Sequence, residues 1–411
     1  MRPRHEQPLA CAAVDAVEGL GSLFAIVAVA ALAPFLVALL PGPKIPEVAV
    51  LLVLGVVIGP QVLGLAQVSE PISLLAAVGL GFLFFVAGFE LPPSLLRGPL
   101  AKRSALNWLT AVVLALVSAG ILHWTGVVLD TAAVAIALTS TALGTLLPIL
   151  RDAGVTERPL GRAVLANGAM GEFGPIVAIS LLLGARGAIT SLVVLAAFGL
   201  VALLLAALPS RLGPRFKEIL LRGRETTSQT SLRLIMLLLV GLLAIAGAFG
   251  LDVILGAFFA GVITRRHVSP GTDERLEAKI DGLAFGLFVP LFFVVSGMSL
   301  DVQAILESPG RLVLFFALLV VCRGLPTLLW FRGWLPRPDL LRLALYTATG
   351  LPIIVAVTTI GLESGVMLPA NAAALVGAGV LSVLLFPAAA HVIGARHLGA
   401  ASPASVAAPD R

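Results

Sequence analysis

Long apolar segments constrain this chain more than any other feature of its sequence. Prolines, glycines and charged residues divide it into thirteen such segments of roughly 15 to 26 residues. As α-helices rising ~1.5 Å per residue, most of them can cross a hydrocarbon core of ~30 Å. Backbone amides in a bilayer need internal partners, so we expect an all-α polytopic membrane protein with 13 transmembrane helices. The predicted segments are 19–41, 46–66, 72–92, 104–126, 131–150, 160–185, 188–209, 232–249, 251–265, 283–300, 311–331, 341–362 and 369–394.

The composition agrees with a membrane protein and the basic residues predict its orientation. Charged residues are 12% of the chain, whereas a soluble domain has about 25%. Of the 27 Lys and Arg residues, 22 fall in loops that follow odd-numbered segments and only 4 in the N-terminus and the other loops. The positive-inside rule then predicts an extracytoplasmic N-terminal tail, 1–18, and a disordered cytoplasmic tail, 395–411. The high isoelectric point therefore reflects orienting loop charges and not nucleic-acid binding.

Two short polar interruptions lie seven segments apart, which predicts inverted six-helix repeats. The fifth segment contains Thr139–Gly144 and the twelfth contains Thr347–Pro352, both inside otherwise apolar runs. Unwound backbone at bilayer depth is tolerated around a cavity, so we expect two crossing broken helices around a midplane site. The alternative is that Ser, Thr and Gly simply mark close packing between helices.

One acid and one base lie deep inside predicted helices. Glu172 is near the middle of the sixth segment and Arg323 is at a similar depth in the eleventh. Ionisable side chains at this depth are expensive and usually serve an ion or proton path, although Glu172 could also be only a structural partner of Arg323. Asn167 and Asn371 are expected to join helices. The remaining acids near the membrane fall at segment ends, where solvation or capping is expected: Glu47, Glu90, Asp252, Asp301 and Glu363.

Six sequence stretches, in order along the chain, resemble the second branch of the cation/proton antiporter superfamily, which includes sodium/proton antiporters and potassium-efflux membrane domains. The resemblance extends from about residue 20 to residue 394. The stretches are Pro46–Glu47 with Gly55, Gly59 and Pro60; Phe84–Leu91; Leu138–Ala142; Leu160–Arg162; Leu255–Gly261; and Pro290–Asp301.

The resemblance implies a domain organisation and a site. It implies a transmembrane exchanger domain, 19–394, a homodimer and elevator-like movement of a core against a scaffold. The family's adjacent ion-site residues, Asp-Asp or Asn-Asp, match Gly171 and Glu172 here, and its basic residue matches Arg323. Gly171 lacks a side chain, and two interpretations of this difference are open. The space could hold the longer Glu172 side chain, water or a larger ion such as K⁺, or the chain could be a divergent member that has lost exchange. The implied parts are scaffold helices 19–92 and 232–300, core helices 104–185 and 311–394, and a linker helix, 188–209.

These features together predict an Na⁺ or K⁺/proton antiporter in the plasma membrane of a prokaryote. Glu172 would bind a proton and a metal cation alternately, and Arg323, always protonated, favours electroneutral exchange. Oxygen atoms of Thr139, Ser140, Thr141 and Thr349 would complete the cation shell. The expected partners are the alkali cation, the proton, membrane lipids and a second copy of the chain, with no cofactor.

Two other classes of function fit the sequence less well than exchange. A symporter or facilitator for an organic anion would need more cationic or aromatic contacts than Arg323 and the single tyrosine, Tyr346, supply. An intramembrane enzyme is disfavoured because no His-Glu-x-x-His motif occurs and the five histidines do not cluster. We therefore expect a transporter and not an enzyme.

Overall fold

The computed structural model describes residues 9–39, 46–90, 98–152, 154–182, 188–211, 229–267 and 274–400. Apart from one isolated bridge between Arg332 and Leu335, the regular structure in these ranges is helical. The helices are α1 Leu9–Leu39, α2 Glu47–Ile58, α3 Glu70–Glu90, α4 Gly98–Trp124, α5 Thr131–Leu138, α6 Leu143–Asp152, α7 Pro159–Leu182, α8 Ala188–Arg211, α9 Thr230–Ala248, α10 Val253–His267, α11 Glu274–Leu283, α12 Val289–Met298, α13 Val302–Glu307, α14 Pro309–Leu319, α15 Leu325–Trp330, α16 Arg337–Ala348, α17 Pro352–Glu363 and α18 Pro369–Ala400.

Nine helices in the described part of the chain are long and apolar enough to cross a membrane. Each also falls on one of the predicted apolar segments. The nine are Gly19–Leu39, Glu70–Glu90, Gly98–Trp124, Pro159–Leu182, Thr230–Ala248, Arg275–Met298, Pro309–Trp330, Arg337–Glu363 and Pro369–Gly394. Shorter apolar helices occur at Glu47–Ile58, Thr131–Leu146 and Val193–Leu205.

Several predicted boundaries differ from the structure. The helix of the second segment, 46–66, ends at Ile58, because Gly59 precedes Pro60 and adopts an extended conformation. The first helix begins at Leu9, inside the stretch expected to be a tail, and the last continues to Ala400, past the predicted end at 394. Residues 1–8 and 401–411 of the two predicted tails lie outside the described residues.

Two π-helical turns interrupt membrane helices, each just before a proline. Ala284–Phe288 joins α11 to α12, and Val320–Gly324 joins α14 to α15. Pro290 and Pro326 follow as the second residues of α12 and α15. Because proline has no amide hydrogen, the carbonyl four residues earlier loses its α-helical partner, and a wider turn is one way to relieve this. The second turn carries Arg323.

The chain forms two compact units. The first contains Met1–Leu91 and Ile179–Gln303, and the second contains Pro92–Ala178 and Ala304–Arg411. In the first unit α3 packs tightly on α10, where Gly88 faces the carbonyl of Phe258 and Gly261 faces the carbonyl of Phe85 so closely that a Cβ would not fit. All residues of the site described below belong to the second unit.

The second unit contains both predicted helix interruptions. α5 ends at Leu138 and α6 begins at Leu143, while α16 ends at Ala348 and α17 begins at Pro352. The interruptions contact each other directly, since the Ala142 amide donates a 2.8 Å hydrogen bond to the Thr349 carbonyl. The backbone of α7 joins them through the Gly171 carbonyl, which accepts a 3.0 Å hydrogen bond from the Thr141 amide.

Hydroxyl groups bond to carbonyls of the preceding turn at both interruptions, but only the second also has helix-breaking residues between its two helices. The second contains Gly350 and then Pro352, whose ring disfavours helical geometry at Leu351 before it. The first has neither proline nor glycine before α6. Instead the Thr139 and Ser140 hydroxyls each donate a 2.9 Å hydrogen bond to the carbonyl three residues earlier, at Ile136 and Ala137. Such side-chain bonds satisfy carbonyl groups in competition with the helix and allow it to end here.

Candidate functional site

The Glu172 side chain lies at the start of α6. It is buried, with 7% of its surface exposed. Its Oε1 accepts a 3.0 Å hydrogen bond from the Leu143 amide and a longer, 3.4 Å one from the Gly144 amide. The first amides of a helix have no partner within the helix, and the helix dipole favours negative charge at this end. The interrupted helix therefore supplies the polar surroundings that a buried carboxylate needs.

Arg323 is completely buried and reaches the first interruption from the π-helical turn. Its Nε and Nη2 donate to the Thr141 hydroxyl at 3.0 and 2.5 Å, and Nη2 also donates to the Asn167 carbonyl at 3.2 Å. Nη1 has no hydrogen-bond partner among the described residues. The predicted charge partner of Glu172 thus contacts the interruption next to that carboxylate and does not donate to the carboxylate itself.

Gly171 provides the space that the guanidinium occupies. A Cβ at this position would lie 2.6 Å from Arg323 Nη2 and 2.6 Å from Thr141 Oγ1, closer than real Cβ atoms come to their neighbours. The sequence left open room for Glu172, water or a larger ion, or a divergent member without exchange, and the structure adds a contact that the sequence did not indicate. The missing side chain makes room for Arg323 and Thr141.

The other predicted ligands differ in how their hydroxyls are used. All four are buried: Thr139, Ser140, Thr141 and Thr349. Thr141 donates to the Thr347 carbonyl at 2.7 Å and accepts twice from Arg323, so its oxygen is occupied. Thr139, Ser140 and Thr349 donate to carbonyls of their own preceding turns, which leaves oxygen lone pairs available to a cation.

A buried polar network beside the site contains two residues that the sequence analysis missed, Asn107 and Thr327. Asn107 Nδ2 of α4 donates to Asn167 Oδ1 at 2.6 Å and to the Thr327 hydroxyl at 3.3 Å. Thr327 in turn lies 3.1 Å from the Thr347 hydroxyl and donates to the Arg323 carbonyl. Asn107 is a polar residue in an apolar run, which was the available signal, and Asn167 joins helices as predicted.

The remaining polar predictions concern the ends of helices. Asp252, expected to be solvated or capping, accepts a 2.9 Å hydrogen bond from the Ile254 amide at the start of α10. Asn371 donates to the Val127 carbonyl at 2.8 Å and accepts from Arg311 at 3.1 Å, so it links chain segments as expected.

Comparison with known proteins gives one family over nearly the whole chain. Residues 26–393 match the family described as "Sodium/hydrogen exchanger, transmembrane". A putative Na⁺/H⁺ antiporter of Bacillus subtilis, YjbQ, is 23% identical over 84% of this chain. The glutathione-regulated potassium-efflux system protein KefC of Klebsiella pneumoniae is 30% identical over 64% of it. The matched regions span 58% and 42% of those two proteins' own lengths.

A solved structure has a similar fold. The sodium proton antiporter MjNhaP1 of Methanocaldococcus jannaschii superimposes with a TM-score of 0.61 at 17% identity, covering 95% of this chain and 99% of that one. At this identity the likeness concerns the fold alone.

Proposed function

Because the chain belongs to the sodium/hydrogen exchanger family, whose members are transporters, we propose that it is a secondary active antiporter that exchanges Na⁺ or K⁺ for protons. Glu172 is the shared site, binding a proton in one step and the cation in the other. A carboxylate suits this role because either particle neutralises it and both cannot be bound there together. The cation is the transported substrate and no cofactor is needed.

The position of Glu172 carries this proposal. Among the described residues it is the only buried acid, and it lies at an interrupted helix whose amides face its carboxylate. Charged groups at membrane depth mark ion and proton paths, and helix interruptions mark midplane sites. Oxygen atoms of Thr139, Ser140 and Thr349 lie in and beside the same interruptions and can replace water around an alkali ion.

The charges of the site favour electroneutral exchange. Arg323 keeps its positive charge throughout, since guanidinium groups remain protonated in proteins. Glu172 passes from a proton-bound to a cation-bound form, and these two loaded forms carry equal charge. One proton therefore crosses in one direction for each monovalent cation in the other, with no net charge moved.

The architecture of the second unit supports an inverted repeat. Glu172 on α7 and Ser382 on α18 each lie thirteen residues after the proline that begins their helix. Each also accepts a hydrogen bond from a backbone amide at one of the interruptions. Glu172 Oε1 accepts from the Leu143 amide at 3.0 Å, and Ser382 Oγ accepts from the Gly350 amide at 3.1 Å. We propose thirteen spans in two inverted groups of six, with the N-terminus outside and the C-terminus in the cytoplasm of a prokaryote.

The packing units suggest how access alternates. We propose that the second unit is the mobile core and the first is the scaffold, in an elevator-type cycle within a homodimer. The division differs in detail from the predicted one, since residues 179–182 and the helix α8, expected to be core and linker, fall in the first unit. Of the predicted core helices 104–185 and 311–394, residues 104–178 and 311–394 share the second unit with the site.

The experiment compares two carboxyl neutralisations in proteoliposomes loaded with a pH-sensitive dye. Glu172→Gln is expected to abolish proton flux driven by Li⁺, Na⁺, K⁺ or Rb⁺ gradients, because a side-chain amide neither takes up nor releases a proton near neutral pH and carries no charge to bind a cation. Glu90→Gln, at the end of α3, changes an acid in the other unit and is expected to retain most of the flux. Undiminished flux in the Glu172 variant would reject the site assignment, and no flux with any of these ions in the unmodified chain would reject exchange itself.

A further inference from the structure

The contact between Gly171 and Arg323 joins two parts of the site that are far apart in sequence. Arg323 Nη2 would lie 2.6 Å from any Cβ at position 171, so the guanidinium stands where a side chain would project from α7. The same nitrogen donates to the carbonyl of Asn167, one turn earlier on that helix. The guanidinium is thus seated against the α7 backbone, and only glycine at position 171 permits this.

The Thr141 hydroxyl connects the Arg323 guanidinium to both interruptions. Thr141 Oγ1 accepts from Nε and Nη2 of Arg323 and donates to the Thr347 carbonyl at 2.7 Å. Two residues after Thr141, the Leu143 amide holds Glu172 Oε1 at 3.0 Å. Displacing the guanidinium would therefore disturb the backbone segment from Thr141 to Leu143, whose amide binds the Glu172 carboxylate.

We propose that Gly171 and Arg323 form a matched pair, in which the absence of a side chain at 171 admits the guanidinium that fixes the first interruption through Thr141. Arg323 is a positioning residue for Glu172. The pair sets the affinity of Glu172 for its cation and proton, and this part of the inference rests on the proposed function. The pairing itself rests only on the packing of the second unit.

The pairing predicts a specific response to added volume. Gly171→Ala inserts a methyl group against both the planar, two-branched guanidinium and the Thr141 side chain, so that the contact between these two groups has to change. Arg323→Lys keeps a basic group but replaces the fork by a slimmer amine on a flexible stem, so it can avoid the methyl group. Gly171→Ala is therefore expected to be more severe with Arg323 than with lysine at that position, where the contact with Thr141 remains but the contact with the guanidinium is lost.

The experiment is a double-substitution cycle on the full chain, with Gly171→Ala and Arg323→Lys made singly and together. Gly174→Ala is the matched control, because its methyl group meets the Trp108 ring and not Arg323. We expect Gly171→Ala to raise the half-saturating cation concentration roughly tenfold or more in the Arg323 background, and by a factor at least about three times smaller in the lysine background. Gly174→Ala is expected to have equal effects in both backgrounds. The pH at which exchange is half-maximal should move further with Gly171→Ala when Arg323 is present than when lysine replaces it.

Thermal unfolding midpoints in detergent provide a readout that does not require transport. The same pattern is expected there: a larger loss from Gly171→Ala with Arg323 than with lysine, and additive losses for Gly174→Ala. Equal losses from Gly171→Ala in the two backgrounds, or no loss in either, would overturn the pairing. If the unmodified chain exchanges none of the tested ions, the proposed function is wrong. The unfolding midpoints of the four variants still test whether Gly171 and Arg323 form a matched pair.

Discussion

Replacing Thr141 by valine removes one hydroxyl on which three hydrogen bonds converge. The oxygen accepts two from Arg323 and donates one to the Thr347 carbonyl. Hydrogen bonds between membrane helices contribute about 0.6 kcal/mol on average and up to about 1.7 kcal/mol, and those to charged groups lie at the upper end. We therefore expect Thr141→Val to reduce the free energy of unfolding by about 2 to 4 kcal/mol, since the buried guanidinium loses its main acceptor.

Thr139→Val is the matched control for this change. It makes the same replacement two residues earlier in the same interruption, but the Thr139 hydroxyl makes a single hydrogen bond, to the carbonyl of Ile136 in its own chain segment. We expect it to reduce the free energy of unfolding by less than about 1 kcal/mol.

Denaturation of both variants in mixed detergent micelles, followed by circular dichroism, measures the difference. Equal losses for the two variants would refute the role assigned to Thr141, because they would show that the contacts with Arg323 add nothing to a local helix-end bond.

Two further predictions concern the charge moved and the packing of the first unit. A potassium–valinomycin voltage imposed during sodium exchange is expected to leave the rate unchanged, because the two loaded forms of Glu172 carry equal charge beside a constant Arg323; a rate that follows the voltage would contradict electroneutrality. Gly261→Ala is expected to lower the thermal unfolding midpoint by several degrees, since its methyl group meets the Phe85 carbonyl. Gly241→Ala, with open space around it, is expected to be neutral or slightly stabilising. Equal effects of the two substitutions would show that the α3–α10 contact is not tight.

The elements that local chemistry determines could be predicted from the sequence. The interruptions at Thr139–Gly144 and Thr347–Pro352 could be located because polar and helix-breaking residues stand out in apolar runs, and Glu172 and Arg323 stand out as charges in the same way. The π-helical turn before Pro326 was not predicted, although the proline is its sequence signal.

The contacts that connect these elements could not be predicted, because they depend on how distant helices pack. Nothing near Gly171 in the sequence indicates that Arg323, on another helix, occupies the space that a side chain at position 171 would need. The approach of the Leu143 amide to Glu172 likewise requires the three-dimensional arrangement of α6 and α7. Position in the sequence therefore identified the charged groups of the site, and only the structure identified what holds them.

Competition between a proton and a cation for Glu172 can be measured from the pH dependence of the half-saturating cation concentration in proteoliposomes. If both bind the same carboxylate, this concentration should rise about tenfold for each unit by which the pH falls below the titration of the site, with the maximal rate unchanged. A half-saturating concentration that stays constant while the maximal rate falls would show that protons and cations bind at different places.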